Sequence, residues 1–375
     1  MSMEKQLKLW RCVAIIALCA LLIVGVLYAA GIGWKTPAAA KTEAAPLSLW
    51  NEGYGAKQEL IDYVTAVTTE GSKDFIPEKD RIAVFDMDGT LTCETYYTYY
   101  DTMMFIEYCL VDHPERVSDE LKEVAASIKP GYLADETLAR NFAKAYAGMT
   151  VEEFSAYVEE FGKKYTKSFE NMRYIDNFYL PMVELVEYLY NNGFEIWVIS
   201  GTERTTTRAI VANSPIKDYV LPEHVIGTDF EVKVKGHEDE PSNMNFKYEN
   251  GDELVLTGGF IQKDLNANKT IYIEREIGQR PVLAFGNTGS DTSMMNYTID
   301  ARNPYRAEAY MVVADDVFRE WGKQNWEEKS ADYIAKGYIP ISMKCDFAVI
   351  YPDGVVTAKE QYVPFVLDEA LEPAA

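Results

Sequence analysis

Histidine is nearly missing. His113, His224 and His237 are the only three in 375 residues, and they are too scattered to act together. That excludes a histidine nucleophile with its usual partners and a histidine-rich metal centre. Cysteine is sparse as well. Cys12 and Cys19 fall in an apolar N-terminal run, leaving Cys93, Cys109 and Cys345, an odd number at wide spacing. They form no disulfide framework and no zinc pattern, and no bridge can be assigned among them. Positive charge is scarce: 36 Lys and Arg stand against 59 Asp and Glu, for a net charge of -23. The first 50 residues carry a small positive excess, so the acid is concentrated in the body. Such a body repels a phosphate backbone, which argues against a nucleic-acid partner. Two readings of the acid remain: solvation of a secreted surface, or attraction of a cationic substrate. No internal repeat is visible.

What is present suits a folded protein. Apolar residues make up 48% and charged residues 25%, the balance of a globular chain able to bury a core. The length fits one large domain or two ordinary ones.

Met1–Arg11 is polar and basic, and residues 13–33 are then apolar throughout. A run of about 18 or more such residues can span a bilayer as a helix. The cations before it favour an N-terminus inside and a body outside the cytoplasm. The segment reads as an uncleaved anchor, or as a long signal peptide cut after a site such as Ala38-Ala39-Ala40. Residues 34–47, rich in Ala, Pro and Lys, read as a linker.

Three short apolar runs organise the body: Ile82–Phe85, Ile196–Ile199 and Val282–Phe285. Each reads as a strand buried on both faces, which implies a parallel sheet. Each ends in glycine and polar residues, where open α/β sheets bind their ligands. Pro181, then Met182, Leu185, Val186 and Leu189 at helical spacing, predict a helix closed by Asn191-Asn192-Gly193. Residues 93–174 read as a helical cap inserted after the first strand. Within it, Val117–Ile128 and Asp135–Ala147 are expected helices, and Thr150 with Glu153 predicts a capping box. From Val225 to Gly259, short alternating runs around Asn250-Gly251 predict a small insertion of β-hairpins. Trp197, inside a central run, reads as core. Residues 48–92 and 175–375 would make the core domain.

The chemistry sits at the strand ends. Asp86-Met87-Asp88-Gly89-Thr90 follows the first. A carboxylate can attack phosphorus. Two carboxylates one residue apart can divide the work, Asp86 as nucleophile and metal ligand, Asp88 as acid and base. An acidic turn or a calcium loop would have the same letters. Ser200-Gly201-Thr202 follows the second run and could bind phosphate, or simply cap a helix. Lys269 could pair with phosphate, or be a surface lysine. Gly286-Asn287-Thr288-Gly289-Ser290-Asp291 follows the third, where Asp291 could hold magnesium through oxygen with Asn287 as a neutral ligand or hydrogen-bond partner, or where a glycine-rich turn could have Asp291 as N-cap. Arg204 and Arg208 could reach phosphate or be solvated.

Together and in this order, the four motifs resemble the haloacid dehalogenase-like superfamily. The motifs span residues 82–291, and similarity of the flanking sequence reaches about residue 350. The resemblance implies a Rossmann-like core with a mobile cap, and Mg²⁺ as cofactor. It makes Asp86 the nucleophile, Asp88 the acid/base, Ser200, Gly201 and Lys269 the phosphate contacts, and Asp86, Asp88, Asn287 and Asp291 the metal site. Dehalogenases, phosphonatases and P-type ATPases of this superfamily usually lack the second aspartate, so Asp88 points to a phosphomonoesterase. The chain looks nearest to the phosphoserine phosphatase branch and to bacterial phosphorylcholine-phosphatase-like members. Two departures stand out. The fourth motif usually begins Gly-Asp, and here it has Asn287. The amine-binding glutamate of phosphoserine phosphatases lies nine residues after the nucleophile, a position held here by Thr95 with Glu94 before it. That counts against phosphoserine itself.

Tyr96, Tyr97, Tyr99 and Tyr100 could cage a quaternary ammonium, with Glu94 nearby, or could simply pack the cap. The expected enzyme is thus an extracytoplasmic phosphatase of the cell envelope, membrane-associated through its N-terminal segment. Its partner would be a small phosphorylated metabolite, phosphocholine-like or phosphoserine-like. A phosphotransferase and a non-catalytic binding protein on the same core are the alternatives.

Overall fold

Four apolar residues in a row, Ile82–Phe85, leave no polar face for solvent, and they form β1 at the centre of a sheet. The computed structural model describes residues 47–94, 99–129 and 135–360, all within one unit, Ala45–Ala375. The expected membrane or signal segment therefore lies outside the described residues, as do Tyr96 and Tyr97. Among the described residues no helix is long and apolar enough to cross a membrane.

The remaining strands are β2 (Phe169–Glu170), β3 (Glu195–Glu203), β4 (Val225–Val234), β5 (Leu254–Gln262), β6 (Leu283–Gly286), β7 (Glu308–Val313), β8 (Ile339–Ser342) and β9 (Val356–Thr357). Seven of these make one sheet in the order β5-β4-β3-β1-β6-β7-β8. All neighbours are parallel except β4 and β5. The expected α/β fold with a mostly parallel sheet is thus the fold adopted. The chain leaves β1 toward β3 on one side and returns to β6 on the other. That reversal is the switch point where such sheets open a ligand crevice.

Both faces of the sheet are covered. On one, Phe85 stacks on Phe285 at 4.4 Å and Phe285 on Tyr310 at 5.1 Å, across three adjacent strands. On the other, Val84, Trp197, Ile199, Ala284 and Met311 pack with Tyr272, Met294, Met295 and Tyr333 from helices. Each large side chain so buried contributes about 1.5–3 kcal/mol. Trp197 is core, as its strand position implied. Strands β7 and β8 come from residues 308–342, so much of the C-terminal stretch completes this sheet.

Helices between β1 and β3 form the insertion: Tyr100–Glu107, Asp119–Ser127, Glu136–Ala145 and Val151–Gly162. Ser118 and Asp135 cap their helices by accepting from Leu121 and Leu138 N–H groups. The Thr150 capping box is present: Glu153 N–H donates to Thr150 Oγ1 at 3.0 Å, and Thr150 N–H to Glu153 Oε2 at 2.9 Å. Thr150→Ala should therefore lower stability by about 1 kcal/mol, measurable as a shift of the urea midpoint at unchanged slope. The Leu180–Asn191 helix carries Pro181 in its first turn and ends at Asn192 and Gly193, as expected.

Two expectations need correction. The second run does not stop at Ile199: β3 continues to Glu203, and the next helix, Arg204–Ala212, is capped by Glu203. The hairpin region is not a separate insertion of several hairpins. It holds a single hairpin continuous with the main sheet, because the first half of β4 pairs with β3 and its second half with β5. Residues 246–249 alternate like a strand but form none. There the Asp252 side chain accepts from Glu249 N–H and Asp252 N–H donates to Glu249 O, closing a local turn around Asn250-Gly251. A short polar side chain competes with ladder pairing in this way. The far part of the hairpin instead supports the insertion, through Gly148 N–H to Leu256 O and Leu256 N–H to Met149 O.

Candidate active site

The carboxyl ends of β1, β3 and β6 converge on a cavity of about 410 Å³. Asp86 and Asp88 leave β1, Gly201 and Thr202 belong to β3, and Asn287 to Ser290 follow β6. Lys269 stands behind them, fully buried, on the short Ala267–Tyr272 helix. Its three N–H groups donate to Asp86 Oδ1 at 2.6 Å, Asp291 Oδ1 at 2.7 Å and Ile199 O at 2.8 Å. The lysine thus ties three sequence-distant motifs to one point.

Each aspartate has its own setting. Asp86 Oδ2 accepts from Thr90 Oγ1 at 3.1 Å. Burial, and then the nearby Asp291, push the Asp86 carboxyl up to about 7, with Lys269 acting against them. Asp88 Oδ2 accepts from Thr202 Oγ1 at 2.8 Å, while its buried Oδ1 has no partner. Burial, then Asp101 and Asp86, push Asp88 up to about 7 as well. Asp291 Oδ2 accepts from the N–H groups of Asn287 and Thr288, both at 3.0 Å. Burial works against the Lys269 ammonium, but Asp291 and Asp86 more than offset it and raise its pKa.

The Asp86 turn needs its glycine. Gly89 has φ +83°, and a Cβ there would land on the Asn287 amide and the Glu94 carboxyl. Those two groups close over it, Asn287 Nδ2 donating to Glu94 Oε1 at 2.7 Å. The asparagine at the start of the fourth motif is therefore the hydrogen-bond partner of Glu94.

Ser200, Gly201 and Thr202 are divided. Gly201 and Thr202 line the cavity, whereas Ser200 is fully buried with its Oγ accepting from Thr202 N–H at 3.1 Å. Arg204 is not solvated: it pairs with Asp229 at 2.7 Å and Glu276 at 2.7 Å. Arg208 donates to Pro222 O. Of the tyrosines, Tyr99 lines the cavity, but Tyr100 is buried core, donating to Val158 O and lying edge-on to Phe161.

Several wall residues carry no motif letter. Asp101 and Asp135 come from the insertion and Lys263 from the end of β5. The sequence assigned them no role, because each is a common residue whose partners are distant in the chain. Glu94 was adjacent to a familiar position, and burial with Asp86 and Asp88 nearby raises its carboxyl well above the usual range.

The site is rich in oxygen donors and short of cations, and the buried Asp88 Oδ1 is unpartnered. Among the described residues no three His, Cys, Asp or Glu close on a metal by themselves. Mg²⁺ needs no such cage, since it keeps waters and takes one or two carboxylates with substrate phosphate. The donor set fits that ion: Asp86, Asp88 and Asn287 line the cavity, and Asp291 meets Asp86 at Lys269.

The haloacid dehalogenase-like hydrolase profile matches residues 83–296, more than half of the chain. The chain belongs to that family. No curated protein matches it significantly. Among solved structures, a protein of unknown function from Anaerococcus prevotii DSM 20548 is 11% identical, with 79% of this chain and 94% of that one covered and a TM-score of 0.48. A phosphoserine phosphohydrolase-like protein from Francisella tularensis is 17% identical, covering 63% of this chain and 89% of that one at a TM-score of 0.31. A probable phosphoserine phosphatase from Vibrio cholerae is 16% identical, covering 72% and 62% at a TM-score of 0.37.

Proposed function

We propose that the protein is a magnesium-dependent phosphomonoesterase that hydrolyses small organic phosphates through a phosphoaspartyl intermediate on Asp86. The observation that carries this is the Lys269 junction: one buried ammonium holds Asp86 and Asp291 together, with Asp88 two residues from the nucleophile. Asp86 attacks phosphorus in line and the bond to the leaving oxygen breaks. Asp88 gives that oxygen its proton. Water then attacks the phosphoaspartate, Asp88 takes a proton from it, and Asp86 is released with inorganic phosphate. Thr202 holds Asp88 in place for both transfers, and Thr90 steadies Asp86. Magnesium, held by Asp86 and Asp291 with Asp88 and Asn287 beside them, would supply positive charge to the phosphoryl oxygens. The helical insertion acts as a cap that keeps bulk water from the intermediate.

Glu94, Asp101, Asp135 and Tyr99 on the wall support a substrate with a cationic group, such as a phosphocholine-like ester. The basic lead and apolar run at the N-terminus support a body outside the cytoplasm, anchored or released. The test is phosphate release by the purified full-length protein from phosphocholine, phosphoethanolamine, phosphoserine, glycerol phosphate and a sugar phosphate. Release should need magnesium and fall roughly 100-fold or more with chelator, returning when the ion is restored. Release indifferent to chelator, or none from any ester, would rule the reading out.

A further inference from the structure

The cavity wall holds a second lysine to which no motif assigns a role. β5 runs antiparallel to β4, so its end, Gln262, returns to Asp229 at the carboxyl edge of the sheet. The next residue, Lys263, is thereby delivered beside the Asp86 turn. Its side chain is 7% exposed and lines the cavity. The Nζ donates to Gly201 O at 2.8 Å, a carbonyl also bound by Thr228 Oγ1 at 2.6 Å.

The two lysines differ in what they have left to give. An ammonium has three N–H donors. Lys269 spends all three on Asp86, Asp291 and Ile199 O. Among the described residues Lys263 spends one, on Gly201 O, and two remain. Burial lowers the Lys263 pKa, and the charges of Asp101, Asp88, Asp264 and Asp135 work against that and favour the ammonium. A phosphomonoester entering this cavity meets carboxylates on most sides. Among the described lining residues Lys263 is the only cation.

We propose that Lys263 is a second phosphate ligand, donating its unspent N–H groups to a non-bridging phosphoryl oxygen of the bound ester. The proposal rests on the phosphatase reading and adds to it a binding residue outside the four motifs. Gly201 O acts as the tether: it fixes the ammonium on the wall beside Thr202 and Asp88, so little rotamer freedom is lost when phosphate arrives. The competing role is purely structural, with Lys263 serving only as counter-charge to the buried Asp101.

Equilibrium binding of inorganic phosphate to the full chain in magnesium buffer separates these roles, with calorimetry as the readout and ester turnover measured alongside. Lys263→Met should weaken phosphate binding about 10- to 100-fold, the usual cost of losing charge-assisted hydrogen bonds. The same variant should raise KM more than it lowers kcat. Lys263→Arg should keep most of the affinity. The double variant Lys263→Met/Asp101→Asn guards against misfolding, because it removes the unbalanced charge. If Lys263 binds phosphate, the double variant regains stability but binds phosphate more weakly than Asp101→Asn alone, which sets the gain from removing a repelling carboxylate. A double variant that binds phosphate as tightly as Asp101→Asn would overturn the proposal, as would wild-type affinity in Lys263→Met. Either of those results, with turnover intact in the wild type, leaves the phosphatase reading standing. A wild type that neither binds phosphate nor releases it removes both.

Discussion

Asp86→Asn is expected to lower phosphate release by roughly 10⁴-fold or more, the scale of losing a covalent nucleophile. Of the carboxylates on the cavity wall, none but Asp86 is held by Lys269. Asp291 has both oxygens engaged, one by Lys269 and one by two backbone N–H groups. Asp88 is held by Thr202, and Glu94 by Asn287. The fold should survive, because an asparagine can turn its oxygen to Lys269 and its amide to the Thr90 hydroxyl. Stability gives an independent sign. Asp86 in the folded state is pushed up to about 7, against about 3.9 for an unfolded aspartate. A raised carboxyl pKa destabilises the fold increasingly as pH rises from the unfolded value to the folded one. Without magnesium, Asp86→Asn should therefore melt at or above the wild-type temperature at pH 8, and the difference should vanish toward pH 4. Phosphate release within tenfold of wild type would mean that another residue is the nucleophile.

The strand and turn around Asp86 were legible because their signal is local. An apolar strand, a tight turn at Gly89 and two carboxylates are read within nine residues, and β1 covers Ile82–Phe85 as expected. The capping box at Thr150 was legible for the same reason. What was not legible depends on non-local pairing. That β5 would turn back antiparallel and place Lys263 against Gly201 follows from sheet register, which no window of sequence contains. Asp101 stands in the first turn of its helix, yet it is 4% exposed and lines the same cavity as Asp88. In one dimension Asn287 could be a neutral metal ligand or a hydrogen-bond partner, the second with no partner to name. In three dimensions its amide meets Glu94, where an aspartate would bring two carboxylates to hydrogen-bond distance.

Lys269→Met should cost both activity and stability, and the two losses have one origin. The side chain keeps its length and apolar stem but loses the ammonium between Asp86 and Asp291. Catalysis should fall about 10³-fold, as expected when a preorganised charge at a developing phosphoryl transition state is removed. Stability should fall by about 3 kcal/mol, because breaking a buried ion pair leaves uncompensated charge in a poorly solvated place. Lys269 is 0% exposed and Asp291 likewise, so water cannot take over. Ile199 O, inside β3, also loses a donor. Adding Asp86→Asn to Lys269→Met distinguishes charge from packing. One of the two opposed carboxylates is then neutral, so part of the lost stability should return, read as the urea midpoint. Activity should not return, because the nucleophile is gone. A double variant no more stable than Lys269→Met would show that the methionine fails by packing, and that the lysine's charge is not what binds the three strand ends together.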